Sequence, residues 1–183
     1  MRNLTKYPTF VFDLDNTLVE TNIANNLSYM EAIKEVLNED FCFDSKQRFT
    51  RDKLLAFFPG VSQTEYNDII AIKKEKFNSH IAETTLNTNL VRILKVLSHH
   101  DCETILLTHC RRERAMSICS YYNIAKYFTA LYFFEDEIRT KYDVLLRNGY
   151  NMESIILFEN ESDGKEEAIR NGIISENIIG VKF

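Results

Sequence analysis

The hydrophobic pattern of this chain changes period along its length. Short apolar runs, rich in β-branched and aromatic residues, occur at Thr9–Asp13, Glu103–Thr108, Leu131–Phe134, Ser154–Phe158 and Ile178–Val181. Each is too short for an ordinary helix and fits a buried strand. Between the later runs the apolar spacing becomes helical: Leu90, Ile93, Leu94 and Leu97; Ala115, Ile118 and Cys119; then Val144 and Leu145 ahead of the turn Asn148–Gly149. This alternation predicts an α/β fold, a Rossmann-like parallel sheet covered by helices on both faces.

One long segment breaks the alternation. From Glu20 to Thr85 the pattern gives no strand; it predicts helices over Ile23–Leu37, Arg51–Phe58 and Gln63–Ile81, with Pro59–Gly60 as a break. The expected organisation is therefore an α/β core of residues 1–19 and 86–183, interrupted after its first strand by a helical insertion, residues 20–85. No internal repeat or low-complexity tract is visible.

Composition narrows the function classes. The chain has 183 residues, 45% hydrophobic and 27% charged, which suits a folded domain with a real core and excludes a collagen-like or disordered chain. Only 5 Gly and 2 Pro are present, so turns must rely on Asn, Asp and Ser. A formal net charge of -5, without a long basic run, argues against duplex nucleic acid as a partner, because that affinity comes from Lys and Arg neutralising phosphates. No stretch approaches the roughly 20 apolar residues that span a bilayer, and Met1–Pro8 has no apolar signal region, so no membrane partner and a cytoplasmic location are expected. Cys42, Cys102, Cys110 and Cys119 form no CxxC pair or metal-ligand spacing and are expected as free thiols.

Chemistry concentrates at the carboxyl ends of the expected strands, where open α/β sheets bind ligands. The first run ends in Asp13-Leu14-Asp15-Asn16-Thr17. Carboxylates two apart on a strand enter one cleft, and they repel unless a cation or a shared proton separates them. Mg²⁺ suits such a pair, since it takes oxygen ligands from one or two carboxylates and from phosphate. The same five residues also read as a polar turn with Asn16 or Thr17 capping a helix. Thr108 ends the second run and either donates to a phosphoryl oxygen or caps the helix beginning near Arg111. Lys141 follows the third run and either neutralises a nucleophilic carboxylate or is solvated. The fourth run ends in the acidic loop Glu159-Asn160-Glu161-Ser162-Asp163, which either completes a metal site or favours the next helix N-terminus. Arg111, Arg112 and Arg114 open the helix after Thr108 and either attract an anionic substrate or form a solvated turn, the commoner case.

The joint order of these pieces resembles the haloacid dehalogenase-like hydrolase superfamily over nearly the whole chain. Its Asp-x-Asp-x-Thr motif is matched by Asp13, Asp15 and Thr17, its second motif by Thr108, its lysine by Lys141 and its acidic motif by the Glu159–Asp163 loop. The insertion is similar to the small helical cap of many members, which places leaving-group selection within Glu20–Thr85, where Tyr29, Phe57, Phe58 and Tyr66 either line a pocket or pack as core. The resemblance implies Mg²⁺-dependent hydrolysis of a small phosphorylated metabolite. Asp13 would be the nucleophile and form an aspartyl-phosphate, and Asp15 the general acid and base. Thr108 and Lys141 would hold the phosphoryl oxygens, and Asp13, the Asp15 carbonyl, Glu159 and Asn160 the metal. Thr17 and His109 are candidate substrate contacts. A phosphomutase would use the same residues.

Departures from the motifs bear on this expectation. Aligning Phe158-Glu159-Asn160-Glu161 with the family's Phe-Glu-Asp-Ser keeps Gly164 and Gly172 in register and puts Asn160 where a metal-binding aspartate is expected. A one-residue shift makes Glu159 and Asp163 the acidic pair instead. An amide oxygen brings no charge, so metal affinity should fall, and a binding or regulatory module with impaired turnover is the alternative of a different class. His109 stands where Asn or Ser is frequent, and Tyr142 where proline is common.

Overall fold

β1, Thr9–Phe12, is apolar on both faces and takes the middle of a sheet, the place where a strand is shielded on either side. The structure is a computed structural model that describes residues 8–44, 47–100, 102–133 and 140–183. The other long elements of the core are α4 (Thr88–His99), β4 (Thr104–Thr108), α5 (Arg112–Tyr121), β5 (Ala130–Phe133), α6 (Asp143–Arg147), β6 (Ile155–Phe158), α7 (Ser162–Arg170) and β7 (Ile178–Ile179). The sheet order is β5-β4-β1-β6-β7, and every pairing in it is parallel. All five expected runs form strands; Phe134, at the end of the third, lies outside the described residues.

The chain winds outward from β1 to β4 and β5, then returns to place β6 on the other flank of β1. The crevice between the carboxyl ends of β1 and β6 is thus the topological switch point, the usual ligand site of such sheets. Register fixes it further: Phe12 is level with Phe158, so Asp13 and Glu159 leave the sheet side by side. On one face Val11, Ile105, Leu107, Ile155 and Leu157 pack with Tyr142, Leu145 and Ala168. On the other, Phe12 stacks on Phe158 with ring centroids 4.6 Å apart.

By internal contacts the chain forms two units, Met1–Val19 with Leu86–Phe183, and Glu20–Thr85. The second contains α1 (Asn22–Leu37), α2 (Arg51–Phe57) and α3 (Gln63–Lys76) around Tyr29, Ala32, Ile33, Phe49, Leu54 and Ile69. Ser62 starts α3 with a capping box to Glu65, as the Ser-x-x-Glu spacing requires. Two boundaries differ from the expected pattern. The third helix stops at Lys76 and continues to Glu83 as tighter 3₁₀ turns. The segment read as strandless has β2 (Val19–Glu20) and β3 (Thr85–Leu86), which pair with each other at its ends; two residues are too few to show an alternation. Tyr29 is core, whereas Phe57 is 58% exposed.

The three described non-glycine residues with positive φ, Asn16, Asn38 and Asn123, are all asparagine, the residue that tolerates this region when glycine is scarce. None of the four cysteines forms a disulfide. No helix among the described residues is long and apolar enough to cross a membrane.

Candidate active site

β1 delivers Asp13 and Asp15 into a tight turn. The Leu14 carbonyl accepts from Thr17, Leu18 and Val19 N–H, and Asn16, at φ 58°, donates to the Val19 carbonyl at 2.7 Å. The polar turn is therefore real, but it caps no helix: α1 starts later, after Thr21. Thr17 is fully buried and its Oγ1 accepts from Asn160 N–H at 3.2 Å. That makes Thr17 a brace between the loops after β1 and β6, where a substrate contact was expected.

Lys141 is the centre of the site. Its Nζ donates to Asp13 Oδ1 at 2.9 Å and to Glu159 Oε2 at 2.6 Å, and all three side chains are buried. The solvated reading of Lys141 is thereby replaced: burial of an ammonium requires partners of opposite charge. Burial pushes the Asp13 carboxyl up to about 6, against the pull of Lys141 and with the Glu159 charge adding to the rise. Burial opposes the charge on Lys141, but Asp13, Tyr142 and Glu159 together hold the ammonium above its ordinary value.

Two neighbours make this pairing sterically possible. Glu159 Oε1 also accepts from Glu161 N–H at 3.0 Å, so the carboxylate folds back over its own loop. A Cβ on Gly164 would meet Glu159 Oε2 at 2.5 Å, so the space belongs to glycine alone. Tyr142 fills the position where proline is common; it is fully buried and its hydroxyl donates to the Gly164 carbonyl at 3.1 Å. The residue after the lysine thus ties α6 to the start of α7.

Thr108 ends β4 almost fully buried, and its Oγ1 accepts from Cys110 N–H at 3.0 Å. It shapes the turn after the strand; the N-cap position of α5 is held by Arg111, with no side-chain capping hydrogen bond. His109 Nε2 lies 3.0 Å from Glu167 Oε2 on α7, with half its side chain exposed.

Sequence reasoning missed one residue. Arg114 was grouped with a solvated turn, yet its Nη2 donates to Asp15 Oδ1, with the two side chains 19% and 14% exposed. Burial works against the guanidinium charge, and Asp15 and Cys110 together hold it above its ordinary value. The available signal was spacing: Arg114 sits four residues before fully buried Ile118, on the inward face of α5. Arg112 lies over the Phe133 ring at 4.6 Å.

The donors fit Mg²⁺ in type. Asp13 brings a carboxylate, and the loops after β1 and β6 bring main-chain and amide oxygens, which suits an ion that keeps several waters beside one or two carboxylates. Charge is sparse: no cluster of three or more His, Cys, Asp or Glu able to hold a metal occurs among the described residues. Asn160 is already employed, its Nδ2 donating to the Asn16 carbonyl at 2.6 Å and its Oδ1 accepting from Val181 N–H at 2.7 Å. Asp163, the ligand of the shifted register, is exposed in the first turn of α7.

Against known proteins, the sequence model of the haloacid dehalogenase-like hydrolases matches residues 10–176. The chain belongs to this family. Among solved structures it is similar in fold to CbbY from Rhodobacter sphaeroides, solved in complex with phosphate (TM-score 0.77, 16% identity, 97% of this chain and 87% of that one). A haloacid dehalogenase-like hydrolase from Streptococcus pneumoniae superposes with a TM-score of 0.75 at 19% identity, over 91% of this chain and 82% of that one. A Thermotoga maritima protein named for beta-phosphoglucomutase gives 0.71 at 19%, over 96% and 86%. No curated protein matches the chain.

Proposed function

We propose that the chain hydrolyses a small phosphate monoester through a phosphorylated Asp13. The observation that supports this most is the buried Lys141 held between Asp13 and Glu159 at the switch point of the sheet. A lysine there keeps Asp13 ionised despite its burial and leaves Asp13 Oδ2 to attack phosphorus. In the first step the bond from Oδ2 to phosphorus forms, the ester P–O bond breaks, and Asp15 gives its proton to the departing alkoxide. In the second, Asp15 takes a proton from water as the water oxygen bonds to phosphorus, and the Asp13–phosphorus bond breaks to release inorganic phosphate. Lys141 and Thr108 offset and orient the phosphoryl oxygens, which suits a transfer governed by positioning and electrostatics. Asp13, the main-chain carbonyl of Asp15 and the Glu159–Asn160 loop would hold Mg²⁺, which when bound supplies positive charge to the phosphoryl oxygens.

A second reading, a binding module with impaired turnover, draws on Asn160, whose amide is committed to Asn16 and Val181 and brings no charge. Phosphate release from a panel of monoesters, with Mg²⁺ and with EDTA, separates the two. Metal-dependent release that vanishes in Asp13→Asn is expected. Tight binding of an ester without release points to the module, and a rearranged ester without free phosphate to a mutase.

A further inference from the structure

The reaction scheme gives Arg114 no part, although burying a guanidinium is costly without a purpose-built partner. One of its partners is Asp15, and the contact joins α5, which follows β4, to the turn that follows β1. We propose that Arg114 is the positioning residue for Asp15. This rests on the reading of Asp15 as the acid and base of a hydrolase.

Three observations carry the assignment. First, the ion pair spans 99 residues of sequence and is mostly shielded from water, so it holds the Asp15 carboxyl in one orientation where a surface pair would not. Second, the helix that carries Arg114 is itself fixed: Ala115 and Ile118 are fully buried, so α5 gives the guanidinium a firm base. Third, the charges divide cleanly. Lys141 contacts Asp13 and Glu159, and Arg114 contacts Asp15. Arg114 thus adds a second cation, besides Lys141, beside the carboxyl groups of Asp13, Asp15 and Glu159. The guanidinium thus has two separable duties: its planar shape orients Asp15, and its charge lowers the repulsion that an entering phosphate meets.

Replacing shape and charge separately tests both duties. Arg114→Lys keeps the charge and loses the planar fork; Arg114→Met loses both. Each is compared with wild type on the best alkyl phosphate of the monoester panel and on p-nitrophenyl phosphate, whose leaving group needs no proton. Arg114→Lys is expected to lose roughly tenfold or more in kcat on the alkyl ester, and less than about twofold on the nitrophenyl ester, with KM little changed, since proton transfer to the leaving oxygen is worth about 10²–10⁴. Arg114→Met is expected to raise KM for both esters as well. In an Asp15→Asn background, Arg114→Lys should add no further loss, as two residues acting through one step are non-additive. Circular dichroism melts report folding; if Arg114→Met fails to fold, Arg114→Lys and the double variant carry the test. Equal losses on the two esters, or additive losses with Asp15→Asn, overturn the positioning role while leaving the hydrolase intact. No phosphate release by wild type from any ester overturns the hydrolase reading, and this assignment with it.

Discussion

The ammonium of Lys141 lies 2.9 Å from Oδ1 of Asp13, with neither side chain more than a tenth exposed. Residues 128 apart in sequence meet because β6 returns to the flank of β1 and brings the α6 region with it. The same ammonium holds Glu159, so it separates two carboxylates that would otherwise share a dry crevice.

Removing that ammonium should therefore damage the fold as well as the chemistry. Lys141→Met is expected to destabilise the protein by about 3–5 kcal/mol, the usual penalty for breaking a buried pair by deleting one partner. Urea unfolding at pH 7 measures it. A loss under about 1 kcal/mol would mean the two carboxylates find water or protons without the lysine.

Asp13 itself sets a pH dependence whose sign follows from its raised value. The folded carboxyl titrates near 6 against an ordinary value of 3.8, so between these limits the folded chain binds more protons than the unfolded one. Stability contributed by this group is present below about pH 4 and is lost as pH rises through 6. In EDTA, the unfolding free energy of wild type minus that of Asp13→Asn should fall by on the order of 1–3 kcal/mol between pH 4 and pH 7. A flat difference, with both proteins folded, would show that burial does not govern Asp13.

Gly164→Ala would drive a methyl into Glu159, whose Oε2 stands 2.5 Å from the place of that carbon. Glu159 must then leave Lys141, and a cost of about 1–3 kcal/mol is expected from overpacking. Turnover should fall with it, because Lys141 loses one of the two contacts that fix it. Unaltered stability and turnover would argue that Glu159 has another resting place of equal energy.

Asn160→Asp tests whether this loop can regain a charged ligand. The amide faces a carbonyl with its nitrogen and an N–H with its oxygen, so a carboxylate would set oxygen against oxygen at the 2.6 Å contact with Asn16. In EDTA the variant should lose about 1–3 kcal/mol, the cost of stranding buried polar groups. Saturating Mg²⁺ should recover part of that loss and raise the apparent metal affinity, read as a Tm shift with metal concentration. A variant as stable as wild type in EDTA would show that the bracket between Asn16 and Val181 contributes little.

Much of the fold was legible because it rests on local rules. Short apolar runs and period-3.6 stretches located all five strands of the parallel sheet and the helices between them to within a few residues. What escaped was too short or too indirect to leave a period: the two-residue pair β2 and β3, and the 3₁₀ turns after Lys76.

The candidate site divides in the same way. The sequence by itself determined that Asp13, Asp15, Thr108, Lys141 and Glu159 stand after strands or at helix starts, because turn chemistry and strand length are written in neighbouring residues. Scarce glycine also implied that turns would rely on Asn, Asp and Ser, and Asn16, beside Asp13, takes a left-handed position. Tertiary structure alone decided which charge meets which: Lys141 with Asp13 and Glu159, Arg114 with Asp15, Asn160 with Asn16 and Val181. The physical reason is range. Helix and strand propensities act over a few residues, whereas a buried ion pair depends on strand order and register, and the order β5-β4-β1-β6-β7 is settled only when the whole sheet closes around its core.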